Sequence, residues 1–423
     1  MRKGFLTILF TLSLFGLSSI LGAKWHGASD VRPLPFTLYH DGKEVNWNAG
    51  QTDAPAVIQY NDTLYVPLNL VGQNLHKTVG WDQRKQMAWI GDKPGAEPAA
   101  QAAAVTRSTN LVQKSAAMTK KADQSASPAL FGLTLGTSAQ QVTAILGQPV
   151  RKEPSAFGYE WWIYNKNPDR YVQVGILNGK VVDLYSNAPA AQIGSIRVGT
   201  SYQTLSSQYK LASNVSFTYE GTQIQITNQP TERPLVLQEN TPVIFYVDKE
   251  NHNLVTAIRM IDKLMLLRGG FYETRWSYYG KAPNFDAPPL SIKQQELVNA
   301  ANERQSLDLV NVIRYRHKLP QLAWNEQVAE VARGHSTDMR THNFFQHISV
   351  TTGLDPFDRL KKAGLSYQLA GENIAAGFPD AIEAFESWMN SPGHRKNILE
   401  KDFRQLGVGV LVEYYTQNFV TLQ

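Results

Sequence analysis

The chain has 423 residues, 43% hydrophobic and 18% charged, with a formal net charge of +5 and no cysteine. That length predicts two to four domains of ordinary globular composition, with enough apolar material for real cores. The lack of cysteine excludes disulfide scaffolds, thiolate zinc sites, cysteine nucleophiles and a lipid-modified N-terminal Cys. The mild basicity gives no case for a nucleic-acid partner.

Residues 1–23 read as a targeting segment. Arg2 and Lys3 precede an apolar run from Gly4 to Leu21, and the small residues Gly22 and Ala23 follow. This predicts export to the cell envelope or the exterior. It acts as a signal peptide or as an N-terminal anchor, and membrane contact is expected only through this segment if it stays uncleaved. Residues 28–92 read as a small, mostly-β domain. Phe36–Tyr39, Val57–Tyr60 and Leu64–Val66 alternate as strands do, Asn61-Asp62 makes a hairpin turn, and Leu68–Leu75 reads as a short amphipathic helix. Trp81-Asp82 and Met87–Ile90 follow as a further turn and strand. The stretch LYVPLNLVGQNLHKTVGWDQRKQMAWIG resembles the stalk domains related to the N-terminal domain of copper amine oxidases. The resemblance implies a spacer or wall-associated module and does not imply copper. Residues 93–127, rich in Ala, Gln, Ser, Thr and Lys, form a linker that cannot bury a core.

Residues 128–275 contain an internal repeat. LTLGTSAQQVTAILGQP opens one copy and IRVGTSYQTLSSQYKLA the other. In each, an apolar strand ends at Gly, Thr-Ser supplies a helix N-cap, and a short amphipathic helix follows. Strands are expected at Tyr159–Tyr164, Val172–Leu177 and Lys180–Tyr185, with Asn178-Gly179 as a two-residue hairpin turn, and again at Val243–Val247 and Val255–Met260. Pro283, Pro288 and Pro289 mark a boundary within 276–289.

From 288 to 423 the pattern turns helical. A helix over Ile292–Arg316 ends at Leu319-Pro320, and Asn325 caps a second on which Val328, Val331, Ala332, His335 and Met339 share one face. His335 on that stripe reads as a satisfied core histidine. His347 follows the aromatic pair Phe344-Phe345, which can anchor in the core and leave the imidazole at an edge. Glu372, between Gly371 and Asn373 in an apolar stretch, is an unusual place for a charge, which needs a partner there. A helix over Asp380–Asn390 buries Ala381, Ala384, Phe385 and Trp388, and stops at Ser391-Pro392. Ser391 can cap the next helix with Pro392 at its first position, so His394 lies in the first turn, where the helix dipole disfavours imidazolium. Two neutral imidazoles and a carboxylate are a competent ligand set for Zn²⁺, with a fourth position left for water. His347, Glu372 and His394 are therefore the candidate metal ligands. With Asn373 they are also the candidate cleft residues, and Zn²⁺ is the only cofactor indicated.

The blocks LPQLAWNEQVAEVARGHSTDM, NFFQHIS, AGENIAAG, SWMNSPGHRKNIL, LGVGV and YYTQNF resemble, in order, those of bacterial CAP domains. The superfamily, also called SCP, is named for cysteine-rich secretory proteins, antigen 5 and pathogenesis-related 1 proteins. The resemblance implies an α-β-α sandwich with a large central cleft. The repeat block at 128–275 is similar to the α+β module that accompanies such domains in exported proteins. The whole chain is then an α+β multidomain protein. The family cleft carries two His and two Glu. His347, Glu372 and His394 match three of them, but the second Glu, expected just after Trp388, is replaced by Met389-Asn390-Ser391. Val412-Glu413 runs almost directly into Tyr414, so the closing hairpin is either very tight or its edge strand is shortened. The resemblance implies binding of sterol, lipid or partners rather than a shared reaction. A non-enzymatic module for a small ligand, peptide or wall polymer is the expected function. The alternative is a hydrolase, with Glu372 as the catalytic base beside a zinc-bound water, or with Ser349 or Ser391 as nucleophile.

Overall fold

The computed structural model describes residues 127–278 and 283–423, together with the backbone of short strands between residues 32 and 90. The targeting segment, the predicted helix Leu68–Leu75 and nearly all of the linker lie outside the described residues. Met1–Lys114 and Ser115–Gln423 are separate compact units. In the first, Ile58–Tyr60 and Thr63–Tyr65 pair antiparallel around Asn61-Asp62, with Arg32–Pro33 on the outer side of Ile58–Tyr60. Leu38–His40 pairs with Lys43–Val45, and Val79–Asp82 with Met87–Ile90.

The second unit opens with α1 (Ala139–Leu146), β1 (Arg151–Pro154), β2 (Glu160–Tyr164), β3 (Val172–Leu177) and β4 (Lys180–Ser186). The repeat supplies α2 (Tyr202–Gln208), β5 (Asn214–Tyr219), β6 (Thr222–Thr227), β7 (Leu235–Gln238), β8 (Thr241–Asp248) and β9 (Leu254–Ile261); α3 (Lys263–Arg268) and β10 (Thr274–Ser277) follow. Seven strands form one antiparallel sheet in the order β7-β8-β9-β4-β3-β2-β1, while β5, β6 and β10 form a smaller one. The repeat is visible in the backbone. Gly136 N–H donates to Val181 O, Val181 N–H to Thr137 O and Ala139 N–H to Gly179 O. In the second copy Gly199 N–H donates to Val255 O, Val255 N–H to Thr200 O and Tyr202 N–H to Asn253 O. Ser138 and Ser201 cap α1 and α2 through their side chains, as the Thr-Ser pattern predicts. Asn178 (φ 49°) and Gly179 (φ 73°) make the turn with two left-handed residues that suits the strand twist.

The C-terminal part contains α4 (Ile292–Arg316), β11 (Ala323–Trp324), α5 (Glu326–Thr341), α6 (Pro356–Lys362), β12 (Tyr367–Ala376), α7 (Ala381–Met389), α8 (Pro392–Leu399), β13 (Gln405–Leu411) and β14 (Tyr414–Leu422). The sheet order is β11-β13-β14-β12. Side chains alternate along β14. Thr416 meets Ser336 of α5 on one face, and Tyr415 meets Trp388 of α7 on the other, so helices cover both sides. The α5 face fits only because β13 carries glycines: a Cβ on Gly409 would lie 2.0 Å from Arg333 N, and one on Gly407 2.2 Å from Ala329 N. Of the two alternatives for the last hairpin, the tight one is observed. Leu411 pairs with Tyr414 across Val412 (φ 58°) and Glu413, and β14 is nine residues long and lies inside the sheet, not at its edge.

The sheet module and this sandwich share a polar interface. Three acids on α7 and its cap, Asp380, Glu383 and Glu386, are each at most 4% exposed. Arg259 of β9, fully buried, donates to Asp183 at 2.7 Å and to Asp380 at 3.0 Å. Tyr246 donates to Glu383 at 2.5 Å, Arg233 pairs with Glu383, and Tyr185 donates to Glu386 at 2.6 Å. The charges on Arg259 and Arg233 are tolerated at this depth because each faces a bonded carboxylate, while burial favours the protonated form of Glu386.

Candidate functional site

Glu372 sits on β12, paired with Asn418 of β14, and its side chain is only 2% exposed. Two donors hold its carboxylate. His347 Nδ1 lies 2.9 Å from Oε1, and Arg359 Nη2 lies 2.6 Å from Oε2. Arg359 Nη1 also donates to the carbonyls of His347 and Leu354, at 2.8 and 3.0 Å. One guanidinium thus ties α6, the 347–354 loop and the carboxylate together, with the charge-assisted geometry that favours Arg over Lys. With Nδ1–H given to Glu372, the tautomer of His347 is fixed and Nε2 is the free nitrogen on a ring that is 47% exposed. This is the arrangement in which a carboxylate orients an imidazole rather than acting on a ligand itself.

His394 lies in the first turn of α8 and is half-buried. Burial first, and then the nearby charge of His347, push its pKa below the ordinary imidazole value, so the ring is kept neutral. The two imidazoles therefore feel one another. Asn373 does not face the cleft as expected. It is fully buried, because adjacent strand residues point to opposite faces and Glu372 takes the other one. Its Nδ2 donates to His394 O at 3.2 Å, and its Oδ1 accepts from Asn397 Nδ2 at 2.9 Å. Asn397 also donates to Glu372 O at 3.1 Å. Asn373 is thus a clip between β12 and α8.

Among the described residues, no three His, Asp or Glu side chains are grouped to hold one metal ion. The expected shell of His347, Glu372 and His394 is not assembled as such: His347 turns Nδ1 onto Glu372 as a donor, and the Arg359 guanidinium occupies the other side of the carboxylate where a cation would compete with it. The same engagement leaves Glu372 poorly placed to serve as a base. Ser349 is 2% exposed. It donates to Asp338 at 2.6 Å and accepts from Thr352 N–H and Oγ1, which makes it the keystone of a turn and not an activated nucleophile. Ser391 occupies the N-cap position of α8, but its side chain makes no capping bond, contrary to expectation. His335 is 1% exposed, as a core histidine should be, with Nε2 3.1 Å from Gln346 O and no partner at Nδ1. It borders a depression of about 430 Å³ between α5 and α6 whose lining includes Arg359 but neither His347 nor His394. Sequence reasoning missed Arg359. The only available signal was its place one turn after Asp355-Pro356, in a segment that reads as an ordinary charged helix.

The CAP-associated N-terminal family profile matches residues 135–272, and the cysteine-rich secretory protein family profile matches residues 307–423. An uncharacterized membrane protein of Bacillus subtilis, YlbC, is 38% identical over 289 residues, covering 68% of this chain and 82% of the relative. A crystal structure of an extracellular protein containing an SCP domain from Bacillus anthracis is 37% identical, covers 68% of this chain and 93% of that one, and superposes with a TM-score of 0.63. A cysteine-rich secretory protein from Staphylococcus aureus shares the fold at 19% identity and a TM-score of 0.58, over 68% of this chain and 91% of that one. No helix among the described residues is long and apolar enough to cross a membrane. With both profiles matched and a relative spanned over most of its length, the chain belongs to the cysteine-rich secretory protein (CAP) family and carries the CAP-associated module ahead of its CAP domain.

Proposed function

We propose that this is an exported cell-envelope or secreted binding protein whose His347–His394 cleft takes a peptide or wall-polymer ligand without turning it over. The observation that carries this reading is the engagement of Glu372. A carboxylate that is 2% exposed, with Arg359 on one oxygen and His347 on the other, is placed to hold an imidazole and is shielded from a substrate proton by burial and by the guanidinium charge. The free Nε2 of His347 and the neutral ring of His394 then offer a pair of directional hydrogen-bonding groups. The same pair could take a divalent cation such as Zn²⁺ as two nitrogen ligands, with the ligand or water completing the shell. The extracellular description of the Bacillus anthracis protein and the membrane description of YlbC support export, as does the apolar segment at residues 4–21.

The test is incubation of the full chain with purified peptidoglycan and, separately, with lipid vesicles, scoring both retention and released fragments. Saturable retention on the wall polymer, lost in a His347→Ala/His394→Ala variant and without fragment release, is the expected result. Fragment release that disappears in Glu372→Gln supports the hydrolase instead and overturns the proposal.

A further inference from the structure

The turn that carries His394 is gripped from outside the CAP fold. At the end of α7, Asn390 Oδ1 accepts from Lys249 N–H at 2.8 Å, and its Nδ2 donates to Val247 O at 2.9 Å. Val247 lies at the end of β8 and Lys249 just past it, in the CAP-associated module. Between them lies Asp248, 1% exposed, which receives Arg395 Nη1 at 2.8 and 2.9 Å. Arg395 is the residue after His394, and the same nitrogen donates to Met389 O at 3.2 Å. Three consecutive residues of the module thus hold the two sides of the Ser391-Pro392-Gly393 turn. The body of α7 is already fixed to the same module through Glu383 and Glu386.

Asn390 stands in the stretch after Trp388 where the family places its second acid. In this chain that stretch serves the interface instead of the cleft. We infer that the CAP-associated module is a working part of the site: the Val247-Asp248-Lys249 clamp on Asn390 and Arg395 positions His394 against His347. Asp248, Asn390 and Arg395 are then positioning residues. The grip has physical reach because a histidine one residue from a buried ion pair inherits its backbone placement, and groups that orient a ligating imidazole typically control affinity by about tenfold or more.

This inference rests on the cleft reading above, and its test separates the two. Full-length chain with isotopically labelled histidine is compared with Asp248→Asn and Asn390→Ala, using Asp248→Glu as the conservative rescue and Zn²⁺ alone as the probe. Circular dichroism establishes that each variant is folded, and Asp248→Asn, which keeps the side-chain shape, decides the matter if Asn390→Ala does not fold. The expected result is a shifted, broadened His394 resonance with His347 unchanged, about a tenfold higher Zn²⁺ midpoint, and recovery in Asp248→Glu. A His394 resonance identical to wild type in a folded Asp248→Asn chain overturns the clamp. If wild-type histidines ignore Zn²⁺, the cation part of the cleft reading fails, and the clamp is judged by the His394 resonance alone.

Discussion

Glu386 gives the sharpest prediction from the buried interface. It is 4% exposed on α7, Tyr185 donates to its Oε1, and its Oε2 has no bonded partner. Burial raises its pKa from 4.5 to about 8; the Tyr185 hydrogen bond and Arg316 oppose the rise, while Asp248 and Glu383 add to it. Each tenfold change in proton affinity corresponds to about 1.4 kcal/mol, so ionising this carboxyl in the folded chain costs roughly 4 to 5 kcal/mol relative to the unfolded one. The raised pKa sets the sign. The folded chain holds the proton more tightly, so the contribution is fully present below 4.5 and is lost as the pH rises through about 8. Glu386→Gln keeps an acceptor for Tyr185 and removes the titration. Urea unfolding of wild type and variant across this window should show the wild type losing several kcal/mol that the variant keeps. The steepest divergence should fall between pH about 5.5 and about 7, midway between the two pKa values, and level off above about 8. Asp380, also raised by burial, titrates in both proteins and cancels from the difference. Parallel profiles would mean that Glu386 is hydrated or paired, and the reasoning would be wrong.

Three further outcomes follow from particular contacts. Arg259→Met strands Asp183 and Asp380 without their shared cation and should cost about 3 to 5 kcal/mol in chemical denaturation; a loss below about 1 kcal/mol refutes the pairing. Gly409→Ala drives a Cβ to 2.0 Å from Arg333 N and 2.2 Å from Ala332 C, both backbone atoms. It should lose at least about 3 kcal/mol or fail to fold, and a near-wild-type melting temperature contradicts the α5 packing. Arg359→Lys keeps the charge but cannot span Glu372, His347 O and Leu354 O together. Amide exchange at Ser349 and Gly353 should therefore accelerate at least tenfold, and unchanged protection contradicts the tie.

Local features were legible from the sequence because their causes are local. Ser138, Ser201 and Asn325 cap helices a few residues away, Asn178-Gly179 makes its turn from its own dihedrals, α4 spans the periodic stretch Ile292–Arg316 ahead of Leu319-Pro320, and α7 begins and ends within a residue of Asp380 and Asn390. His347 and Glu372 meet because the odd placement of a charge in an apolar stretch did demand a partner. The partner's identity was only half visible, since Arg359 announces itself by no pattern. Asn373 is hidden because Tyr367–Ala376 is a strand, which sends the side chains of Glu372 and Asn373 to opposite faces, and the Gly-flanked sequence gives no strong strand period there. The Asp380, Glu383 and Glu386 stripe resembles a solvated helix face in one dimension. Its cover, from Tyr185 to Arg259, lies more than a hundred residues earlier, and no periodicity links the two. Ser391 had the right residue type at the right position and still makes no cap, which shows that propensity is a preference that tertiary geometry can set aside.

The proposed site requires that His347 and His394 face one another across a single hollow. Titration of the His394 ring by NMR, in wild type and in His347→Ala, tests it directly. His394 should titrate below the ordinary imidazole value and move part of the way back up when the neighbouring imidazole is removed, because burial persists and the charge does not. A His394 that titrates normally and ignores the loss of His347 would place the two rings in separate environments and contradict the site.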